Sequence, residues 1–118
     1  MSGGKSSTNG GTSWSRVLNQ NYCLDLEFNW AANTAIASCG TLNLAGQVFR
    51  STDRGATFST TPVLAAPNQS RTELAVSKSS PNIMYAAAAF YLAGDTNNYR
   101  FRGLWASNVD FGDGGPDL

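Results

Sequence analysis

The octet Ser-Thr-Asp-Arg-Gly-Ala-Thr-Phe at residues 51–58 decides how the rest of the chain is interpreted. Gly55 can adopt the positive φ that a tight turn between antiparallel strands requires. The Asp53 carboxylate and the Ser51 hydroxyl can accept hydrogen bonds from N–H groups of the turn, and Phe58 then begins the return strand. A near copy, with Asn in place of the aspartate and Trp in place of the phenylalanine, starts 44 residues earlier and occupies residues 7–14. Two copies of one turn indicate a repeated supersecondary unit.

The two octets resemble the Asp-box, or BNR repeat, of β-propellers such as bacterial sialidases, xyloglucan-degrading glycosidases and sortilin-type receptors. The resemblance implies an all-β fold in which antiparallel four-stranded meanders form part of a β-propeller. In that family the box is a structural turn remote from the active site, so the resemblance concerns architecture more than activity. The positions that it assigns to the structural boxes are Ser7, Asn9, Gly11, Trp14, Ser51, Asp53, Gly55 and Phe58.

The 118 residues divide, on this interpretation, into about two and a half blades of a single partial propeller. Residues 1–21 form a half blade, residues 22–71 a full blade with its Asp-box, and residues 72–118 an incomplete blade with a Gly/Asp-rich tail. A closed propeller usually has at least four blades. Either the natural protein is therefore longer, or copies of the chain assemble to close the ring around Trp14, Tyr85 and Trp105.

Alternating apolar residues and turn signals place the strands of these blades. The pattern aligns Leu26 with Leu74 and Ile36 with Met84, both 48 residues apart. A third, degenerate box begins at Ser107. The strands predicted for the three blades are residues 5–8 and 14–18, then 22–28, 35–39, 47–52 and 58–61, then 72–76, 83–90 and 103–107.

The two cysteines lie on the first two strands of the full blade. A hairpin around Ala31 and Ala32 predicts that Phe28 faces Thr34, that Leu26 faces Ile36 and that Cys23 faces Cys39. Opposed residues of antiparallel strands are close enough for a disulfide. The pair is expected to be bonded if the protein is exported, and two buried free thiols are the alternative.

The composition excludes several classes of function. Charged residues make up 14% of the chain and the net charge is zero, which argues against a nucleic-acid-binding face. The longest apolar run, residues 83–93, is too short for a bilayer, so no membrane partner is expected. No apolar leader follows Met1, whereas the family resemblance implies a secreted or periplasmic protein; the compartment therefore stays open. Without histidine, the commonest metal ligand is missing, and we expect neither cofactor nor metal.

The sequence carries carboxylates but no recognisable catalytic pair. The longest loop carries aromatic and hydrogen-bonding side chains suited to sugars or peptides, although a variable insertion without a ligand is the alternative. We therefore expect a non-catalytic module that binds glycans or protein partners, with self-association as a further option. The alternative is a fragment of a secreted glycoside hydrolase whose catalytic residues lie outside this chain. The candidate ligand-binding residues are Tyr91, Asp95, Asn97, Tyr99, Arg100, Arg102 and Arg71.

Overall fold

The structure, a computed structural model, describes residues 3–41, 45–90, 100–108 and 111. These residues form strands and turns without any helix, which confirms the prediction of an all-β chain. Among them, accordingly, no helix is long and apolar enough to cross a membrane. The strands are β1 (Gly4–Ser6), β2 (Ser15–Leu18), β3 (Cys23–Asn29), β4 (Thr34–Cys39), β5 (Gln47–Ser51), β6 (Gln69–Val76), β7 (Met84–Phe90) and β8 (Phe101–Ser107).

The strands pair into three small antiparallel sheets, with β1 and β2 in the first, β3, β4 and β5 in the second, and β6, β7 and β8 in the third. The second sheet was expected to have a fourth strand at residues 58–61, and the structure corrects this. Ser59 N–H donates to the Arg50 carbonyl at 2.8 Å, and Val48 forms an isolated bridge with Leu64. Pro62, which has no N–H to donate, interrupts the segment and prevents a continuous ladder.

The sheets stack face to face around β4, every residue of which is buried. Its side chains alternate between two cores, because successive residues of a strand point to opposite faces. Ile36 packs toward the third sheet, whereas Ala37 and Cys39 pack toward the first. The larger core, between the second and third sheets, consists of Ile36, Val48, Leu64, Leu74, Met84, Ala86, Ala88, Trp105 and Phe111. The smaller core, between the first and second sheets, consists of Leu18, Ala37, Cys39 and Phe49.

The β3–β4 hairpin differs by one residue from the predicted register. Leu26 pairs with Ala37 and Phe28 with Ala35, so neither faces its predicted partner. The cause is the turn, which contains the four residues 30–33, with Asn33 in a left-handed conformation at a φ of 59°. An irregularity between Cys23 and Asp25 shifts the register back, so that Cys23 lies opposite Cys39. The two cysteines form a disulfide, with Cα atoms 3.8 Å apart.

The repeat between the second and third sheets also needs a correction. Leu26 and Leu74 occupy the same place, since each pairs with a small residue of the next strand, Ala37 and Ala86. The chain from Leu74 to its partner Ala86 is one residue longer than the chain from Leu26 to its partner Ala37. Consequently Ile36 corresponds to Tyr85, one position after the predicted Met84. This single residue reverses which side chains face outward on β7.

Candidate functional surfaces

The second box, residues 51–58, is a turn built by side-chain hydrogen bonds. The Ser51 hydroxyl accepts the N–H of Gly55 at 2.8 Å and donates to Asp53 Oδ1 at 2.7 Å. That carboxylate oxygen also accepts the N–H of Thr57 at 2.8 Å, while the Thr57 hydroxyl donates to Asp53 Oδ2. The Thr57 hydroxyl and N–H, followed by the Ser51 hydroxyl, lower the pKa of Asp53 to about 2. Gly55 has a φ of +87°, as the sequence pattern requires.

The first box, residues 7–14, repeats the same hydrogen-bond network, with Asn9 in the place of Asp53 and Ser13 in the place of Thr57. The Ser7 hydroxyl accepts the N–H of Gly11 at 2.9 Å and donates to Asn9 Oδ1 at 2.8 Å. Asn9 Oδ1 accepts the N–H of Ser13 at 3.0 Å, and the Asn9 amide donates to the Ser13 hydroxyl at 2.8 Å. An asparagine amide therefore serves this turn as well as a carboxylate, because it presents the same oxygen. The Trp14 indole N–H closes the turn on the Gly11 carbonyl at 3.1 Å.

A third turn of this kind begins at Ser107, where the sequence pattern is broken. The Ser107 hydroxyl accepts the N–H of Phe111 at 2.9 Å, which reproduces the bond from Gly55 to Ser51. Phe111 thus stands in the place of the box glycine, at a φ of 60°, and its side chain is fully buried in the larger core. Of the box pattern, the sequence here keeps only the serine that follows an apolar strand. The residue that bonds to this serine lies four positions later, as in the two complete boxes.

The second box is attached to the neighbouring hairpin. The N–H and Nε of Arg54 donate to the carbonyl and Oδ1 of Asn33, at 2.9 and 2.6 Å. A side chain at Gly55 would lie 3.6 Å from the Phe28 ring. The side chains of Ser51, Asp53, Arg54 and Thr57 are therefore engaged in the turn or in the hairpin, and the arrangement is that of a structural support.

The candidate ligand-binding residues separate into three groups in the structure. Tyr91, Asp95, Asn97 and Tyr99 lie outside the described residues. Arg71 and Arg100 are brought together. They line a depression of about 370 Å³ at one end of the third sheet, which is completed by Glu73, Ala87, Ala88, Ala89 and Phe101.

The charged groups of this depression already have partners. Arg71 forms a salt bridge with Glu73 at 2.7 Å. The Arg100 guanidinium lies over the Phe90 ring, 4.6 Å from its centroid. Phe101, exposed over 72% of its surface, is the aromatic side chain of the depression that the sequence reasoning missed. The sequence signal that could have identified Phe101 is its position, since it is an aromatic residue that begins a strand after a long loop.

Arg102 turns away from this depression, contrary to its grouping with the other arginines. Its Nε donates to the Pro67 carbonyl at 2.7 Å, and its guanidinium lies 5.7 Å from the Trp105 ring centroid. A β-bulge in β8 causes this, because Ala89 pairs with Phe101 whereas Ala88 pairs with Gly103. The extra residue, Arg102, points toward the core side of the sheet.

The apolar part of the outward side of the third sheet, next to the charged pair Arg71 and Glu73, is here termed the open face. Its members are outward-pointing residues of β6, β7 and β8. Tyr85 is 38% and Leu104 39% exposed, whereas Ile36 and Val48, which occupy the same places in the second sheet, are wholly buried by the third sheet. The open face comprises Ala75, Tyr85, Ala87, Ala89, Phe101, Leu104 and Ala106.

A groove of about 330 Å³ lies between the first and second sheets. It exists because the first sheet has only two strands, which cover Ala37 and Phe49 but leave β3 uncovered. Leu24 and Leu26 of β3 are therefore about half exposed. The groove is lined by the apolar residues Leu18, Leu24, Leu26, Phe28 and Ala37 and by the charged residues Lys5, Asp25 and Arg54.

The carboxylates of the described residues are dispersed. Asp25 Oδ2 accepts the N–H of Leu74 at 2.6 Å and so joins the second sheet to the third. Burial, and then the negative charge of Asp25, raise the pKa of Glu27. Glu73 is paired with Arg71, and Asp53 belongs to its box, while Asp95 lies outside the described residues. In the described ranges, no group of three or more acidic or cysteine residues could hold a metal ion.

No protein-family model, curated protein or solved structure matches the chain.

Proposed function

We propose that this chain is a non-catalytic interaction module of the Asp-box β-propeller type and that it binds protein through the open face. The observation that carries the proposal is the exposure of Tyr85 and Leu104 at places where the second sheet buries Ile36 and Val48. A contiguous apolar surface rimmed by polar residues is typical of an interaction site. The third sheet covers the equivalent face of the second sheet, and we expect a partner to cover the open face in the same way.

The chemistry of the open face favours a protein over a sugar. Its centre consists of Ala87, Ala106 and Leu104, which offer contact area but no hydrogen-bonding side chains. The guanidinium of Arg71, which a carboxylated sugar would need, is occupied by Glu73. Tyr85 supplies a large apolar body with a polar tip, a residue type that is enriched in the centre of protein interfaces.

A segment of a glycoside hydrolase is the second candidate, and one observation favours it. The pKa of Glu27 is raised by burial and by the neighbouring Asp25, and a carboxyl group that keeps its proton can act as a general acid. However, Asp25 is bonded to the backbone of β6, and both residues lie on the same strand. This hydrogen bond holds the Asp25 carboxylate between the second and third sheets, so the interaction module has the stronger support.

The proposal can be tested with a displayed library of strand-forming peptides. The parent chain is used for selection, and the enriched peptides are then measured against Leu104→Glu and against Ser79→Glu, a control in an exposed turn. We expect Leu104→Glu to lose the peptides and Ser79→Glu to retain them. Equal retention by both variants would refute binding through the open face.

The same samples are tested on a glycan array and with fluorogenic glycosides. Under the proposal both assays give flat signals. Glycan binding that Arg71→Ala abolishes would replace the proposal with a sugar-binding module. Turnover that Glu27→Gln abolishes would replace it with the glycoside hydrolase.

A further inference from the structure

We infer that the partner of the open face is a second copy of this chain, which docks head to tail with its groove against that face. This inference rests on the proposed function. It names the partner from two observations, namely the strand edges and the matching apolar surfaces.

The strand edges of the first and third sheets are complementary. Among the described residues, β8 pairs only with β7, and β1 pairs only with β2. Within the part of the chain that the structure describes, each of these two strands therefore has one edge that no other strand covers, and such an edge is a template for pairing with another strand. An antiparallel pairing of β8 with β1 of a second copy would extend the third sheet by the two strands of the partner's first sheet.

That pairing would bring the open face against the partner's groove. Within one copy, the first sheet lies on the second sheet and leaves Leu24 and Leu26 uncovered beside β1. A strand added to the edge of β1 would lie over these leucines. If that strand is β8, its outward residue Leu104 and the neighbouring Tyr85 of β7 would cover them. Both exposed apolar surfaces are then buried in one contact, which is favourable by the hydrophobic effect.

The predicted contact around Trp14, Tyr85 and Trp105 is revised accordingly. Trp105 is only 3% exposed because it packs inside its own chain, so it is not available to a partner. Tyr85 remains, and Leu104 and Leu26 join it.

The contact is heterologous, because the open face of one copy meets the groove of the next. A pair of copies therefore still has one open face and one groove that can bind further copies. Such contacts close into a ring when the rotation allows it. With about two and a half blades per copy, two or three copies would form a ring within the usual range of propeller sizes.

The inference can be tested by complementation between two variants. Leu104→Glu damages the open face and keeps the groove, while Leu26→Glu damages the groove and keeps the open face. Both positions are substantially exposed, so each variant should fold, which its circular dichroism spectrum and cooperative melting would verify. Sedimentation velocity then measures the mass of the parent, of each variant alone and of an equimolar mixture.

We expect the parent to sediment as a closed oligomer, each variant as a monomer, and the mixture as a complex of two chains. The mixture is the decisive sample. It contains one intact open face, on Leu26→Glu, and one intact groove, on Leu104→Glu, and these two surfaces can associate only if the contact is head to tail. A parent that is monomeric at every concentration, or a mixture that stays monomeric, would overturn the inference. If the peptides selected against the parent are still lost on Leu104→Glu, only the second copy is refuted; if they are retained, the proposed function fails as well.

Discussion

Replacing Ser51 with alanine tests whether the second box stabilises the fold through its side-chain network. Ser51 is 1% exposed, and its hydroxyl accepts N–H bonds from Gly55 and Asp53 and donates to the Asp53 carboxylate. Water cannot easily replace a hydroxyl at a buried site, so Ser51→Ala should lower the free energy of unfolding by about 1–2 kcal/mol. For a chain of this size that corresponds to a fall in Tm of about 4–8 °C.

Ser7→Ala is the matched control, since Ser7 makes the same three contacts in the first box. These contacts are exposed, so water can take the place of the hydroxyl. We expect a loss below about 0.5 kcal/mol, as is usual for surface substitutions.

Urea unfolding followed by circular dichroism measures both variants against the parent, and the m-value should stay constant if only stability changes. Equal losses of stability for Ser7→Ala and Ser51→Ala would refute the reasoning, because the burial of the serine would then not determine how much stability is lost. A Ser51→Ala variant as stable as the parent would refute the structural role of the box itself.

Three further perturbations address other parts of the molecule. Gly103→Ala places a methyl group about 3.0 Å from the buried ring of Trp105 and should cost about 1–3 kcal/mol in urea unfolding, whereas Ala106→Ser on the open face should change little. The pKa of Asp53 falls from 3.8 unfolded to about 2 folded, so its stabilisation is complete above about pH 4 and is lost as the pH drops toward 2; Tm measured across this range should fall more steeply for the parent than for Asp53→Asn, and identical pH profiles would contradict the assignment. Removing the disulfide by replacing Cys23 and Cys39 with alanine should cost about 3 kcal/mol, given a separation of 16 residues, and reductant should destabilise the parent but not the double variant.

The turns were predictable because they depend on residues close together in the chain. Ser51 bonds a residue four positions away, and so does Ser7, so that a serine, an Asn or Asp and a glycine at fixed spacing determine the turn. The third turn shows the limit of this rule. Phe111 takes the position of the glycine with a positive φ, and the burial of its ring in the larger core is the tertiary contact that the local pattern lacks.

The candidate site was only partly predictable, since the direction of a side chain depends on register. Arg100 and Arg102 lie in one short segment of sequence, yet a bulge in β8 directs Arg102 to Pro67 and leaves Arg100 at the depression. Phe101 completes that depression although no motif contains it. The position of a bulge depends on how two strands pair, so it could not be predicted from the sequence of either strand alone.

The amino-acid sequence by itself determined the all-β character, the approximate strands and the two complete boxes, because these follow from side-chain alternation and from hydrogen bonds within a few residues. The tertiary structure alone decided which faces are buried. One extra residue between the paired positions Leu74 and Ala86, compared with Leu26 and Ala37, directs Tyr85 outward and Met84 inward, since a shift of one position exchanges the two faces of a strand. The open face and the groove likewise exist because of how many strands each sheet contains and how the sheets stack.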